Sequence, residues 1–426
     1  MLARMPILAI ALLLLLPSGG CALRRHGGGG WRASAPTIDS LPPVGRAEIV
    51  PDTDAIGAFA VVDLTLRRGD GVEYRGLTPE ETQCLAVAES PLGDAIDGER
   101  RAIQAPPGTC GQGERAAAVM RRLLAYAAAE ARNKSAGDSL EAYYRLVQAE
   151  AQHDLLARTR NTLRATASDL EQARRRGLTL PPEANAIASR QLAVNHSVVE
   201  DDLAVLKLNT ALAQLTGLSR PDERLRFWPV TRLAATAAPV DIDVAIAEGM
   251  ALRPELNLLR YAEASLDEET LPAVRQMLGG ISGILGMQPA APSCSALAKL
   301  CVLLCGSTDA EEAAARRRQL RQYRIDREEA VADEIRQAAY TIEARARQIA
   351  LAKEGVALAQ QRLTDAVERQ RIAQATLADV TAAQTAALEA RGDLVGRVVE
   401  WELARVELRE AQGKLVSECR GNGACP

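Results

Sequence analysis

Aromatic side chains are scarce in this sequence, with 3 Trp, 7 Tyr and 2 Phe among 426 residues. Sandwich and barrel cores draw heavily on aromatic and β-branched residues, so the shortage argues against a β-sandwich. Histidine is rarer still: His26, His153 and His196 stand far apart along the chain. No His-Glu-x-x-His, no Gly-rich phosphate loop and no nucleophile elbow occurs either. Without a cluster of polar groups suited to chemistry, the sequence reads as a non-enzyme with no cofactor and no metal. An excess of one charge is also missing, because 51 Lys+Arg stand against 55 Asp+Glu for a net charge of -4. That balance excludes a nucleic-acid partner recruited by bulk charge. What abounds is alanine, 78 residues of it, the strongest helix former and a small one. Long, closely packed helices are the expected result.

No apolar run reaches the ~20 residues that a membrane-spanning helix needs. The nearest, Ile7–Leu16, follows Arg4 and reads as the core of an export signal over residues 1–20. Ser18-Gly19-Gly20-Cys21 then resembles a bacterial lipoprotein cleavage site, with Ser18 where that pattern prefers Leu. Cys21 is therefore a candidate for lipidation, each acyl chain anchoring by ~0.8 kcal/mol per buried CH₂. The alternative is a plain cleaved signal with Cys21 in a linker. Residues 21–76, including Gly27–Gly30 and Pro42-Pro43, suit a flexible tether, within which Ala58–Leu66 has the composition of one short strand.

Export implies an oxidising compartment, where cysteines read first as disulfide candidates. Beyond Cys21 these are Cys84, Cys110, Cys294, Cys301, Cys305, Cys419 and Cys425. Their number is odd, so one stays free or pairs between chains if Cys21 is acylated. Cys419 with Cys425 would close a small terminal loop. Cys294, Cys301 and Cys305 lack a histidine nearby in sequence, which speaks against zinc.

Glu311 to Lys414 contains no proline, and Ile335, Ile342, Ile349, Val356 and Leu363 recur there every seven residues. Three positions after four of them stand Ala338, Ala352, Ala359 and Ala366, with Arg345 the exception. This heptad seam of one bulky and one small residue brings helices close together; an ordinary antiparallel coiled coil fits the segment equally well. Glu114 to Arg176 is also proline-free, with a pause expected at Asn133–Gly137, where Asp138 and Glu141 have capping-box spacing. The two halves repeat at an offset of 196: Tyr144 with Tyr340, Leu155 with Leu351, Arg175 with Arg371, Leu192 with Leu388, Leu212 with Leu408 and Gly217 with Gly413. Each copy reads as a long helix, a tight bend and a long return helix. The expected arms are 114–176 and 180–216, then 311–371 and 377–414, with bends near 177–182 and 372–376. His153 takes the seam position of Ile349 and reads as a buried, hydrogen-bonded residue; Trp228, Trp401 and Tyr340 read as packing residues.

Leu77-Thr78-Pro79-Glu80-Glu81 followed by Ala88-Glu89-Ser90-Pro91, then Leu212-Ala213-Gln214-Leu215-Thr216-Gly217-Leu218, Arg253-Pro254-Glu255-Leu256 and Ala411-Gln412-Gly413-Lys414-Leu415, resemble motifs of the TolC-type outer-membrane efflux proteins in their order and spacing. The resemblance covers roughly residues 77–415, as a first repeat (77–220) and a second (221–415) before a tail (416–426). It implies a mainly α fold: tandem antiparallel helical hairpins that, in a homotrimer, curl into a helical barrel. It further implies two membrane β-hairpins per subunit in the outer membrane, a periplasmic adaptor and an inner-membrane pump as partners, and outward passage of small molecules. The sequence departs from that pattern between the two repeats. Pro91 and Pro254 are 163 apart, so the first half is 33 residues shorter (196 − 163), about one β-hairpin. Asp94–Gly113 reads instead as a polar loop that a Cys84–Cys110 bond would tie down. In the second half the insert 271–306 stands at the hairpin position but lacks aromatics and alternation, and reads as a degenerate membrane-contacting hairpin. A lipid-anchored periplasmic scaffold that has lost the channel is the alternative function.

In the family, the bends dock the adaptor. Gly177, Leu178 and Thr179 in one copy, and Ile372, Ala373 and Thr376 in the other, correspond to its V-G-L-x-T-like tip motif. The alternative is that Gly177 merely ends a helix and Thr376 starts the next. Arg175 and Arg371, with Glu183 and Asp379 at equivalent sites, are candidates for a charged gate at the narrow end of the tube; a solvated charged face is the plainer reading.

Overall fold

The computed structural model describes residues 73–104, 112–176, 183–218, 225–231, 233, 239–275 and 309–421. The signal segment, Cys21, most of the tether, the Ala58–Leu66 strand, the first bend at Gly177–Pro182, residues 276–308, Cys110 and Cys425 lie outside them, and Cys294, Cys301 and Cys305 fall within 276–308. In chain order the elements are β1 (Glu73–Leu77), α1 (Pro79–Ala88), α2 (Pro91–Ala102), α3 (Gln112–Arg175), α4 (Glu183–Leu215), β2 (Leu225–Pro229), α5 (Ile242–Leu252), α6 (Pro254–Ser265), α7 (Asp309–Arg371), α8 (Leu377–Ala411) and α9 (Leu415–Gly421). Helix dominates. The longest are α3 with 64 residues and α7 with 63.

Two compact units divide the chain. One holds Pro91–Ala131 and Met250–Ala332, and its core joins Val119, Leu123, Leu259, Ala262, Leu266, Leu271, Val274 and Leu320. Each large side chain buried there contributes ~1.5–3 kcal/mol. Leu271 and Val274 belong to this core, so the first residues of the expected membrane insert are ordinary helix packing. Around the core run α6–α7 ion pairs: Arg324 reaches Glu263 at 2.9 Å and Arg327 reaches Glu255 at 2.6 Å, while Arg324 also pairs with Glu328 on α7 itself at 2.9 Å. Among the described residues, no helix is long and apolar enough to cross a membrane.

The other unit takes in β1, α1, Arg132–Gly249 and the chain from Asp333 onward. Residues 73–76, expected in the tether, form β1, which pairs in parallel with β2 from Glu73↔Leu225 to Leu77↔Pro229. Tyr74 and Trp228 pack edge to face at 5.4 Å, and the Phe227 N–H donates to Asn209 at 2.6 Å, tying the sheet to α4. Thr78 caps α1, accepting from the Glu81 N–H at 3.1 Å.

Three expectations need correction. Asp94 to Ala102 is helical, not loop: Pro91 occupies the first turn with Asp94, and Arg100 and Arg101 the last, as the helix dipole favours. No pause occurs at Asn133–Gly137, where α3 runs straight through. Asn133 donates to the Glu410 carbonyl at 2.9 Å, and a Cβ on Gly137 would lie 2.0 Å from the Glu410 carboxylate. The amide and the glycine thus serve close packing of α3 on α8 rather than a break, and Asp138 is a mid-helix carboxyl that burial pushes up. Finally, Cys84 bonds to Cys419, with Cα atoms 5.3 Å apart, and so to neither Cys110 nor, through Cys419, Cys425. The reason is tertiary: Leu415 and Cys419 bury one face of α9 against α1, and Gln83 donates to the Leu415 carbonyl at 2.8 Å.

The duplication is visible in the backbone. Pro91 and Pro254 each open a 12-residue helix. Gly217 and Gly413, 196 apart, both take positive φ (66° and 71°) where α4 and α8 end, the left-handed stop that glycine adopts without a Cβ clash.

Candidate functional site

The described bend joins α7 to α8. Ala373 N–H donates to Gln370 at 3.0 Å and Gln374 N–H to Arg369 at 2.8 Å, closing the last carbonyls of α7. This requires Ala373 to adopt φ 58°, a left-handed conformation that disfavours a side chain by ~1 kcal/mol. Thr376 then opens α8 with a full capping box: its hydroxyl accepts from the Asp379 N–H at 3.2 Å, and Asp379 accepts from the Thr376 N–H at 2.8 Å. Those bonds from Thr376, first its backbone N–H, hold the Asp379 carboxyl below its ordinary range. The bend is thus a fixed turn with both helix ends satisfied, and Ile372 stands on it 59% exposed.

Among the described side chains, the gate candidates Arg175, Arg371 and Asp379 are each engaged close to their own place in the chain. Arg175 pairs with Glu171 at 3.3 Å and Arg371 with Glu368 at 3.7 Å, each on its own helix. Asp379 is engaged by the cap, and Glu183 begins α4. Gly177, Leu178 and Thr179 lie outside the described residues.

The hairpin stems differ in chemistry. In the first, Leu163, Ile187 and Val194 cluster with Leu156 and Leu170 packed against them. The residues 196 further on are Ala359, Ala383, Ala390, Ala352 and Ala366, whereas Ala167, also packed there, has Leu363 as its counterpart, so five of the six positions carry alanine in the second stem. His153 accompanies the first stem, with Nδ1 3.0 Å from Asp201 Oδ2. Its partner was not legible in sequence, because nothing in the spacing joins residues 48 apart. Arg345, the exception in the alanine series, faces Glu400 of α8 at 2.7 Å. Ion pairing replaces small-residue packing there.

Most of the expected seam is inward: Ile335, Ile342 and Ile349 are buried, as are Trp228 and Trp401. Tyr340 is the correction, 58% exposed where its counterpart Tyr144 is buried. It belongs to an outward stripe on α7 with Leu351 and Leu358. At ~100° per residue these three fall within about 20° of one line. A second stripe on α4 carries Leu192, Val199, Leu203 and Leu206, all exposed. Both helices thus turn large apolar side chains to solvent, with the exposed Arg347 between Tyr340 and Leu351 on the same line of α7. Among the described residues, no group of three or more His, Cys, Asp or Glu side chains is placed to hold a metal ion.

No protein-family model and no curated protein matches the chain. Solved structures do match. The Campylobacter jejuni CmeC outer membrane channel is similar with TM-score 0.59 and 13% identity, over 81% of this chain and 89% of that one. The outer-membrane channel OprN matches with TM-score 0.58 and 14% identity, over 88% and 99%. The open-state Neisseria gonorrhoeae MtrE outer membrane channel matches with TM-score 0.56 and 11% identity, over 79% and 89%. With its tandem pairs of long helices, the chain has the fold of the TolC-type outer-membrane channels.

Proposed function

We propose that this protein is the duct component of a tripartite efflux or secretion system. In this reading three copies assemble into a helical tube at the outer membrane, and small molecules pass outward through it. An inner-membrane pump supplies the energy and a periplasmic adaptor docks at the bends, through Ile372, Ala373 and Thr376 of one and Gly177, Leu178 and Thr179 of the other. The observation that carries the reading is the pair of solvent-facing apolar stripes on α4 and α7, on rods whose fold is that of outer-membrane channels. A solid monomeric bundle would bury such stripes. The charged residues Arg175, Arg371, Glu183 and Asp379 then surround the narrow end of the tube, where cargo is selected. Purified protein reconstituted in planar bilayers should conduct ions in steps; an assembled, membrane-inserted protein without conductance would rule out the duct.

A second reading draws support from the join between α2 and α3. Between Ala102 and Gln112 stand nine residues (112 − 102 − 1), too few for two membrane strands of ~9–11 residues each. Only the second repeat has chain enough for a hairpin, so three copies supply at most six strands (3 × 2), below the ~8 of the smallest filled barrels. On this reading the protein is a lipid-anchored periplasmic scaffold. Cys21→Ser separates the two: a scaffold becomes soluble, whereas a barrel protein still needs detergent.

A further inference from the structure

The Cys84–Cys419 bond joins two cysteines that each have a much nearer thiol along the chain. Cys84 has Cys110 26 residues away (110 − 84), and Cys419 has Cys425 6 residues away (425 − 419), against 335 residues for the native pair. The chance that two points of a flexible chain meet falls as about the three-halves power of the length between them. Before folding, Cys84 therefore meets Cys110 ~45-fold more often than it meets Cys419. Cys294, Cys301 and Cys305 lie within 11 residues of one another (305 − 294) and are each other's nearest partners. An oxidant acting on the unfolded chain makes the local bonds first.

Folding reverses that preference and then closes the site. α9 docks on α1 through contacts that need no sulfur. Leu415 is fully buried, Gln83 donates to the Leu415 carbonyl at 2.8 Å and to Glu418 at 3.1 Å, and Arg409 donates to Gln83 at 2.6 Å. Those contacts set Cys419 beside Cys84, with Cα atoms 5.3 Å apart. Yet Cys84 and Cys419 are only 4% and 3% exposed, and every residue of α1 from Thr82 to Ala86 is buried. Disulfide exchange needs a thiolate with access to a sulfur, and burial disfavours the thiolate and keeps outside thiols away. A wrong bond at Cys84 carried into the docked state is therefore slow to correct, whereas the unfolded chain leaves it open to attack.

We propose that this chain is a substrate of a thiol–disulfide isomerase, a dithiol enzyme that opens Cys84–Cys110 before α9 docks and so lets Cys419 take Cys84. The local bond forms from two thiols, which give two electrons and two protons to a disulfide oxidant. The isomerase thiolate then attacks the Cys84 sulfur, making a mixed disulfide and releasing Cys110 as thiolate. The Cys419 thiolate attacks Cys84 in turn, forming the native bond and returning the enzyme thiolate, so this exchange consumes no further oxidant. A Cys419–Cys425 bond is opened by both enzyme thiols, which take over the disulfide and leave the two cysteines reduced. The inference goes beyond the duct reading and rests on none of it.

The test is refolding of the full-length chain from the reduced, denatured state into detergent, in a glutathione buffer with and without protein disulfide isomerase. All arms carry Cys21→Ser, so that the thiol a lipid would occupy takes no part. Samples are trapped by alkylation and their bonds mapped by peptide mass spectrometry. Cys84–Cys110 should exceed Cys84–Cys419 by ~45-fold in the earliest samples and give way to it later. The isomerase should speed that conversion and leave the end point unchanged. In Cys110→Ser/Cys425→Ser the native bond should form without the delay, and the enzyme should no longer speed it. Cys84–Cys419 as the first bond made by Cys84, or a conversion that the isomerase does not speed, overturns the proposal. So does a double variant that still needs the enzyme or never reaches the native bond, because Cys110 and Cys425 would then not be competitors. Added to the folded protein, isomerase and glutathione should leave Cys84–Cys419 intact; exchange there would refute the order in which correction precedes docking.

Discussion

The Cys84–Cys419 bond offers the sharpest test of how the second unit is closed. It joins residues 335 apart in sequence, and in the chain-entropy treatment a loop of that length restricts the unfolded chain by ~6 kcal/mol; measured losses on removing native disulfides run ~2–5 kcal/mol. Both cysteines are buried, so reduction after unfolding leaves two sulfurs in place and isolates the cross-link from packing. Independent contacts keep α9 docked: Leu415 is fully buried, and Arg409 donates to Gln83 at 2.6 Å and also pairs with Glu418. The reduced protein should therefore fold as before and lose ~3–5 kcal/mol. Unfolding entropy near ~2.1 cal/mol/K per residue makes each kcal/mol worth only ~1 °C in a chain of this length, so the expected fall in Tm is about 3–5 °C. Thermal melts at one protein concentration, oxidised against reduced, read it, with Cys84→Ala/Cys419→Ala as the second arm. If oxidised and reduced protein melt within ~0.5 °C of each other, the reasoning fails, because the two ends would then be held as firmly without the bond.

Ala373→Gly relieves the left-handed position of the bend and should stabilise the protein by ~0.5–1 kcal/mol, read in urea unfolding; a loss of stability would show that the turn does not hold Ala373 as described. Gly249→Ala and Gly355→Ala form a contrasting pair. A Cβ on Gly249 would meet the fully buried Ile335 at 2.3 Å, so the change should destabilise by ~1–3 kcal/mol. Nothing lies within 4 Å of Gly355, and alanine there should add up to ~1 kcal/mol of helix stability; equal effects at the two sites would contradict the packing. Glu402 is buried on α8, and burial pushes its carboxyl up against the opposing pull of Arg405 and Arg409. A raised folded-state pKa means a stability contribution that is full below the unfolded-state value and is lost as pH rises through the folded-state value. Glu402→Gln should therefore flatten the stability profile on the neutral side of the carboxylate range, and an unchanged profile would refute the assignment.

Much of this architecture was legible before any coordinates. Freedom from proline over two long stretches, abundant alanine and a strict seven-residue seam are local properties, and helix formation is decided locally. The Thr376/Asp379 box has its spacing written in the chain, and the repeat at 196 showed that two similar hairpins exist. Tertiary structure decided what those properties were for. Asn133 and Gly137 look like a helix break in sequence because their intrinsic preference is weak, yet the distant Glu410 makes them a packing notch. Cys84 could pair with any cysteine on spacing alone, and only the docking of α9 on α1 selects Cys419. Tyr144 and Tyr340 occupy equivalent positions, and no reading of the chain separates them. One is buried because α8 lies beside α3 in the same chain, and the other is exposed because its counterpart helix α4 lies elsewhere. Local periodicity sets which face of a helix is apolar; only the arrangement of helices in space settles which apolar face is left facing solvent.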